Sequence, residues 1–530
     1  MARDILKEIV DRRVEDMAQF GAEFGCAVPA ERVRKVHPFI AKKGAILEIK
    51  RASPSKGDIA PSLDAAKTAV QYAMAGARAI SCLTEMNYFK GSLTDFMAAA
   101  AALDDFEAQG NEVPALLRKD FLVNAKEVEV SYRAGADAVL LIARILTAET
   151  MLEMAQTAER LGISVLIEVR KNEDLEKLSF VMERVNHKNI VCGVNSRDLK
   201  DFSIDMLAPA GMLDSIRKIA PDARVTFESG ILSPKAATRA GSMGFSAILL
   251  GEAAAKNPAM AGEFTAAFEG TCENAAGRAW VDYAALLNER RVHGHEDTSG
   301  GKNGNRPFVK ICGLTRKEDA VLAAELGADF LGFIFYGKSK RNVCKEAVRE
   351  IAAAVREGAK ADGKNCGAAC PKLVGVIVEP ESAEGKAAFE LVREGVLDFV
   401  QFHACNLPAA DSADFSDIPR YAAINVAEVA DLQKLDELVL QGEPRVLIDA
   451  KTEGFVGGTG KTISAELVEQ AAKKVRLWLA GGITAENISE IIKRFQPELI
   501  DVATGVECAP GVKDAEKLKL FFSELNKITK

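Results

Sequence analysis

Short apolar, β-prone runs alternate with longer Ala-rich segments along nearly the whole chain, and this alternation is what most limits the folds open to it. In the first half the runs are ILEIK (46–50), AISCL (79–83), ALLRK (115–119), AVLLI (138–142), SVLIEV (164–169), IVCGVN (190–195), RVTFES (224–229) and SAILLG (246–251). Strands that are apolar on both faces, with helix-length spacers between them, suit a parallel sheet covered by helices. Eight such repeats predict a closed (β/α)8 barrel. The pattern restarts with FVKICG (308–313), DFLGFIF (329–335), KLVGVIV (372–378), LDFVQFH (397–403), YAAIN (421–425), RVLIDA (445–450), LWLAGG (477–482) and LIDVATG (499–505), which predicts a second barrel. The chain has 530 residues, room for two barrels of about 250 residues each.

Between the two sets lies VHGHEDTSGGKNGNR (292–306), rich in Gly, Asn and charge and without apolar period, which reads as a flexible linker. The expected fold is therefore α/β, two consecutive (β/α)8 TIM barrels joined by a flexible linker. The first domain takes residues 1–265, including an N-terminal extension whose MARDILKEIVDRRVEDM suits an amphipathic helix; 266–306 hold a closing helix and the linker; 307–530 form the second domain.

Composition narrows the partners. A net charge of −8 offers no long-range attraction to nucleic acid or anionic membrane, so small molecules held by local groups are expected. No apolar run approaches the roughly eighteen residues of a membrane span, and the amphipathic N-terminus is unlike a signal sequence; a cytoplasmic, monomeric protein is expected. The ten cysteines are scattered and expected to be reduced. Cys366 and Cys370 lack a second ligand pair, and His293 and His295 sit on the linker without a third ligand, so neither a metal nor another cofactor is expected.

Side chains alternate along a strand, so Glu48 and Lys50 share the face of Ile46. Lys119, Glu168, Asn195, Glu228 and Ser229 also fall at the C-terminal ends of their runs, the end where βα loops converge on the active site of such a barrel. Acids and amines together push one another's pKa values apart, which acid–base chemistry requires. In the second half, Cys312, His403 and Asp449 hold the corresponding positions, and Lys310 shares the face of Cys312, where a cation favours thiolate.

ILEIKRASPSKG, LRKDF, LIEV, GVNSRDL and ESGI, in that order, make the first half resemble indole-3-glycerol phosphate synthase. That resemblance implies closure of a pyrrole ring on an anthranilate-derived deoxyribulose phosphate, with loss of carbon dioxide and water. Lys119 is the candidate acid at the ketone, with Glu168, Lys50 and Glu48 dividing the dehydration. The resemblance gives Phe121 to the anthranilate ring and Asn195 and Arg197 to hydroxyls or carboxylate. Ser229, Gly230 and Gly251 would offer backbone donors to the phosphate, and Ser53 and Lys56 would hold it or close a lid. Glu252 stands where some relatives have a small serine, and its carboxylate would repel a phosphate unless turned away.

VKICGLT, SKR, VQFH, LIDA, GGTG, AGGIT and TGVE make residues 307–530 resemble phosphoribosylanthranilate isomerase, which implies an Amadori rearrangement supplying the first barrel's substrate. One acid and one base are needed, and Asp449 and Cys312 fit. Arg341 would take the anthranilate carboxylate, with His403 as a supporting donor. Gly457, Gly458 and Gly460 form a loop able to close over the sugar, and Gly481, Gly482, Thr504 and Gly505 offer donors to phosphate. Phe402, Ala404, the KTIS after GGTG and the insert at 360–371 depart from the family pattern. Two other readings stand beside this one: a pair of different sugar-phosphate isomerases, for which paired aspartates at the strand ends are expected, and a protein in which one barrel is a degenerate binding module.

Overall fold

The computed structural model describes residues 5–54, 56–197, 204–293, 306–361, 370–404, 415–449 and 465–528. Most of the linker with His295, most of the insert with Cys366, and the loop glycines Gly457, Gly458 and Gly460 lie outside the described residues. The chain divides into two compact units, Met1–Ala285 and Leu286–Lys530.

In the first unit β1 (Gly44–Ile49), β2 (Ala79–Leu83), β3 (Ala115–Lys119), β4 (Ala138–Ile142), β5 (Ser164–Val169), β6 (Ile190–Asn195), β7 (Arg224–Glu228) and β8 (Ala247–Leu250) form a closed barrel. Every pair is parallel, and β1 closes on β8 with Ile46 opposite Leu249. Ile46, Leu117, Leu140, Leu166, Val191 and Leu249 fill the inside, and Phe39 and Ile40 join this cluster. Arg224, opening β7, donates to both of their carbonyls, which places them at the N-terminal end. With that end plugged by apolar side chains, a step of two residues from each inward position reaches the other mouth: Ile46 leads to Glu48, Leu117 to Lys119, Leu166 to Glu168.

The extension supplies α1 (Ile5–Phe20), which buries Leu6, Ile9, Arg13 and Asp16, one face at helical spacing. Arg13 is anchored in a buried cluster: its NH1 donates to Asp120 Oδ1 at 2.7 Å and its Nε to Glu127 Oε1 at 2.9 Å. Glu127 lies in α2 (Ala125–Arg133), capped by Asn124, whose Oδ1 accepts from the Lys126 and Glu127 amides. Near the end of the unit, Trp280 is enclosed and meets Tyr283 edge-on at 6.0 Å.

The second unit closes a barrel from β9 (Phe308–Cys312), β10 (Phe330–Phe335), β11 (Lys372–Ile377), β12 (Phe399–His403), β13 (Arg420–Asn425), β14 (Val446–Asp449), β15 (Trp478–Ala480) and β16 (Leu499–Val502). Its inside is layered by the same two-residue step. A floor of rings comes first, Phe308 on Phe330, Phe330 on Trp478, Trp478 on Tyr421 and Tyr421 on Phe399, with centroids 5.0–6.4 Å apart. Two residues on, the layer is polar: Lys310, Gln401 and Asp501, all buried. Two more bring Cys312 and His403 to the mouth, with Asp449 at the end of β14. After β16, Glu507–Ala509 pairs antiparallel with Val512–Lys513.

Among the described residues no helix is long and apolar enough to cross a membrane.

Candidate active sites

The first barrel's mouth is organised by a carboxylate between two amines. Glu48 Oε1 lies 3.3 Å from Lys50 Nζ and Oε2 lies 3.3 Å from Lys119 Nζ, with the glutamate side chain only 2% exposed. Burial alone would raise this carboxyl, but the Lys119 and Lys50 charges outweigh it and hold its pKa at about 2. Lys119 is held above its ordinary value: burial works against its charge, while Glu48, Glu228 and Glu168 more than compensate. Glu228 is shifted the other way, well above the carboxylate range, by burial first and the neighbouring Glu168 second. The mouth thus holds a carboxylate biased toward its ionised form, an ammonium biased toward its charged form and a carboxyl biased toward its protonated form.

Two glycines make room for these acids. A Cβ on Gly193 would stand 2.0 Å from Glu228 Oε1, and one on Gly251 would stand 2.5 Å from Glu48 Oε1. Ser229 and Gly230, after β7, take φ of +66° and +78°, two successive left-handed residues that turn the chain at the strand end. Holding a serine there is strained.

One pocket gathers Glu48, Lys50, Lys119 and Glu168 with Ser53, Lys56, Phe121, Asn195, Arg197, Ser229, Gly230 and Gly251. Glu228 lies beneath them, fully buried. Asn195 Oδ1 accepts from the Arg197 amide at 3.0 Å, which fixes this strand end. Glu252 is not turned away: it lines the same pocket, with Oε1 3.9 Å from Lys56 Nζ.

In the second barrel Lys310 Nζ donates to Asp501 Oδ2 at 2.6 Å, to Gln401 Oε1 at 2.8 Å and to Cys312 Sγ at 3.4 Å. A neighbouring cation does not suffice to make the sulfur a thiolate. Burial raises the Cys312 thiol above its ordinary value and outweighs the pull of Lys310, so the resting form is the thiol, contrary to the expectation from shared strand face alone. Gln401 Oε1 also accepts from Tyr421 Oη at 2.9 Å, and two donors on one oxygen fix the amide's orientation. Its Nε2 then faces His403 Nδ1 at 3.4 Å, leaving His403 Nε2 toward Asp449 Oδ2 at 3.9 Å.

Arg341 is not an idle cation awaiting a carboxylate. Glu507 takes its Nε at 2.9 Å and NH2 at 2.7 Å, leaving NH1 as the nitrogen that Glu507 does not engage. Its stem crosses Gly313, where a Cβ would lie 2.6 Å from Arg341 Cδ, so the guanidinium is delivered beside the turn that follows Cys312. Glu507 also accepts from Lys513 Nζ at 3.0 Å, and Lys513 reaches the Cys312 carbonyl at 2.6 Å. Gly481 and Gly482 have φ of +104° and +60°. Gly505, beside Thr504, packs against the Ile483 carbonyl so closely that a Cβ would lie 2.0 Å from it; the two glycine turns are neighbours.

The family profile of indole-3-glycerol phosphate synthase matches residues 4–265, and that of N-(5'phosphoribosyl)anthranilate (PRA) isomerase matches residues 309–524. A tryptophan biosynthesis protein, TRP1, of Phytophthora nicotianae is 30% identical over 491 residues, covering 85% of this chain and 85% of that protein. This chain belongs to the bifunctional indole-3-glycerol phosphate synthase/phosphoribosylanthranilate isomerase family. A multifunctional tryptophan biosynthesis protein of Phanerodontia chrysosporium is 30% identical over 543 residues, which take in 92% of this chain; the chain spans 64% of that relative's length. A crystal structure of phosphoribosyl anthranilate isomerase from Thermotoga maritima is 30% identical, with 42% of this chain and 99% of that one covered and a TM-score of 0.35.

Sequence reading missed several residues at both family sites. In the synthase-type barrel, Ile5, Leu6 and Ile9 of α1 form part of the pocket wall, as does Phe89, which meets Phe121 at 5.9 Å and carries Lys50 Nζ 5.3 Å from its ring centre. An amphipathic helix was legible, but not where its apolar face lands. In the isomerase-type barrel Gln401, Asp501 and Glu507 were missed. The signal for the first two was present, since each stands two residues before a mouth position on an otherwise apolar strand.

Proposed function

We propose that the chain catalyses two consecutive steps of tryptophan biosynthesis: the second barrel isomerises N-(5-phosphoribosyl)anthranilate to the carboxyphenylamino-deoxyribulose phosphate, and the first closes and decarboxylates that product to indole-3-glycerol phosphate. The observation that carries this reading is the division of protonation states at the first mouth, set by Glu48 between Lys50 and Lys119.

In the isomerisation, Asp449 donates a proton to the ribose ring oxygen, the C1′–O bond opens to an iminium, and Cys312 as thiolate removes the C2′ proton. The C–H electron pair becomes the C1′–C2′ double bond and the iminium electrons return to nitrogen. The enolamine then tautomerises to the ketone. Arg341 NH1 takes the anthranilate carboxylate, with Glu507 holding the guanidinium flat. His403 lies by Asp449 rather than being seen with Arg341, which gives it a place near the acid.

In the ring closure, the carboxyl-bearing aromatic carbon attacks the ketone while the Lys119 ammonium meets the oxyanion, and carbon dioxide then departs, its C–C electron pair returning to the ring. Glu48, ionised throughout, sustains the Lys119 charge and is no proton donor. Lys50 faces the departing hydroxyl, and Glu228, raised by burial and by neighbouring Glu168, supplies the acid for dehydration with Glu168 as the base. Phe121 and Phe89 flank the aromatic ring. The backbone at Ser229, Gly230 and Gly251 receives the phosphate. The protein works on these small phosphorylated substrates as a cytoplasmic monomer, with no cofactor.

Assay of the full chain with each substrate tests the reading. Lys119→Ala abolishes ring closure and spares isomerisation, and Cys312→Ser does the reverse. If either change cripples both activities equally in a folded protein, two independent sites are ruled out.

A further inference from the structure

Lys310 has three protons and, being wholly buried, no water to share them with. All three are assigned: to Asp501 Oδ2 at 2.6 Å, Gln401 Oε1 at 2.8 Å and Cys312 Sγ at 3.4 Å. Asp501 has the shortest of these bonds, a charge-assisted one, while its other oxygen, Oδ1, is buried without a hydrogen-bond donor among the described residues. The carboxylate is therefore balanced by Lys310, and Lys310 by the carboxylate. A thiolate at Cys312 is then an additional charge facing a pair that is already neutral.

The sulfur and the amine lie together in space that a bare backbone leaves open. Gly332, opposite them on β10, has no side chain, and a Cβ there would stand 2.8 Å from Cys312 Sγ and 3.1 Å from Lys310 Cε. The other charges around the cysteine are also committed. Lys513, bonded to the Cys312 carbonyl, is answered by Glu507, and so is Arg341 beside Gly313. Tyr421 is a neutral phenol that bonds Gln401 and also faces Lys310, and His403 meets Gln401 on one side and Asp449 on the other. Asp501 is thus the carboxylate whose cation touches the sulfur itself.

We propose that Asp501 is a positioning residue that sets the thiolate fraction of Cys312 by answering the charge of the Lys310 ammonium that is hydrogen-bonded to the sulfur. The inference rests on Cys312 being the base of the second barrel. Its chemical sense is restraint: the cysteine stays a thiol, poorly reactive to oxidants and stray electrophiles, and it forms thiolate as the positive iminium develops on the ring-opened substrate.

The test is the pH dependence of Cys312 alkylation by iodoacetamide in the full chain, read on the Cys312 peptide by mass spectrometry, with folding of the second unit verified by the emission and urea unfolding of its enclosed Trp478 in a Trp280→Phe background. Asp501→Asn shifts the midpoint down. A shift of about one unit multiplies the thiolate about tenfold and lowers its nucleophilicity roughly threefold, so alkylation near neutral pH becomes about threefold faster. Gln401→Glu, of the same shape, gives Lys310 a second carboxylate and moves the midpoint up, which keeps the proposal testable if Asp501→Asn fails to fold. A midpoint that stays in place or rises in folded Asp501→Asn overturns the proposal, as does one that stays or falls in Gln401→Glu. Alkylation needs no turnover, so an error in the catalytic reading shows separately, as isomerisation surviving in Cys312→Ser.

Discussion

Replacing Gly193 with alanine adds one methyl group to the inside of β6, at a position paired on both sides, with Glu168 of β5 and Thr226 of β7. That Cβ falls 2.0 Å from Glu228 Oε1, whereas ordinary contact begins at 3.4 Å, so the carboxyl must withdraw by about 1.4 Å. The strand cannot yield, being held in the ladder on either side; the side chain must. A displacement of about 1 Å at a reacting group costs on the order of 100-fold in rate, and crowding a packed interior costs about 1–3 kcal/mol, offset by roughly 0.4–1 kcal/mol from the stiffer unfolded chain. Gly193→Ala is therefore expected to lower the kcat of ring closure about 100-fold with isomerisation unchanged and a net loss of stability of about 1–2 kcal/mol. Steady-state assays with each substrate and urea unfolding measure these quantities. Shortening the acid in Gly193→Ala/Glu228→Asp withdraws the carboxyl by one methylene and should restore part of the lost rate. Wild-type ring closure in Gly193→Ala, or a double variant slower than both single ones, would refute the reasoning.

Two further outcomes follow from the first mouth. Glu252→Ser removes a carboxylate from beside the phosphate position and should lower the KM of ring closure about fivefold, equivalent to about 1 kcal/mol, with little change in kcat; an unchanged or higher KM would mean that Glu252 serves mainly to place Lys56. Glu48, depressed from 4.5 to about 2, contributes about 3 kcal/mol that is fully present above pH 4.5 and lost as pH falls toward 2. Glu228, shifted upward, acts in the opposite sense, so the comparison has to be made against Glu48→Gln: the wild type should lose more stability than that variant between about pH 5 and pH 3 in urea titrations. Parallel pH profiles would exclude the linkage.

The barrels were legible because one rule, alternation by two, fixes both what fills the inside and what reaches the mouth. Ile46 inside requires Glu48 above it, and the same step carries Leu117 to Lys119. The rule says nothing about where a helix packs, so the apolar face of α1 was visible and its place on the pocket wall was not. Nor does it say which of two opposing effects wins at a buried group. Cys312 has its cation, as the shared face implied, yet burial prevails, and that balance depends on Gly332, Asp501 and Gln401 arriving from other strands. Arg341 was read as a free hand for a carboxylate, and Glu507, far along the chain, holds most of it.

The chain has two tryptophans, and the fold puts one in each unit, both fully enclosed. Trp280 stands edge-on to Tyr283, while Trp478 belongs to the ring floor of the second barrel and donates its indole N–H to Glu498 at 2.9 Å. Their surroundings differ, so their emission should differ too, and a Trp→Phe change in either unit leaves a single fluorophore reporting on the other. The protein therefore carries its own two-channel optical probe: the melting, refolding and ligand response of each half can be followed in the joined chain, without cutting it and without attaching a label.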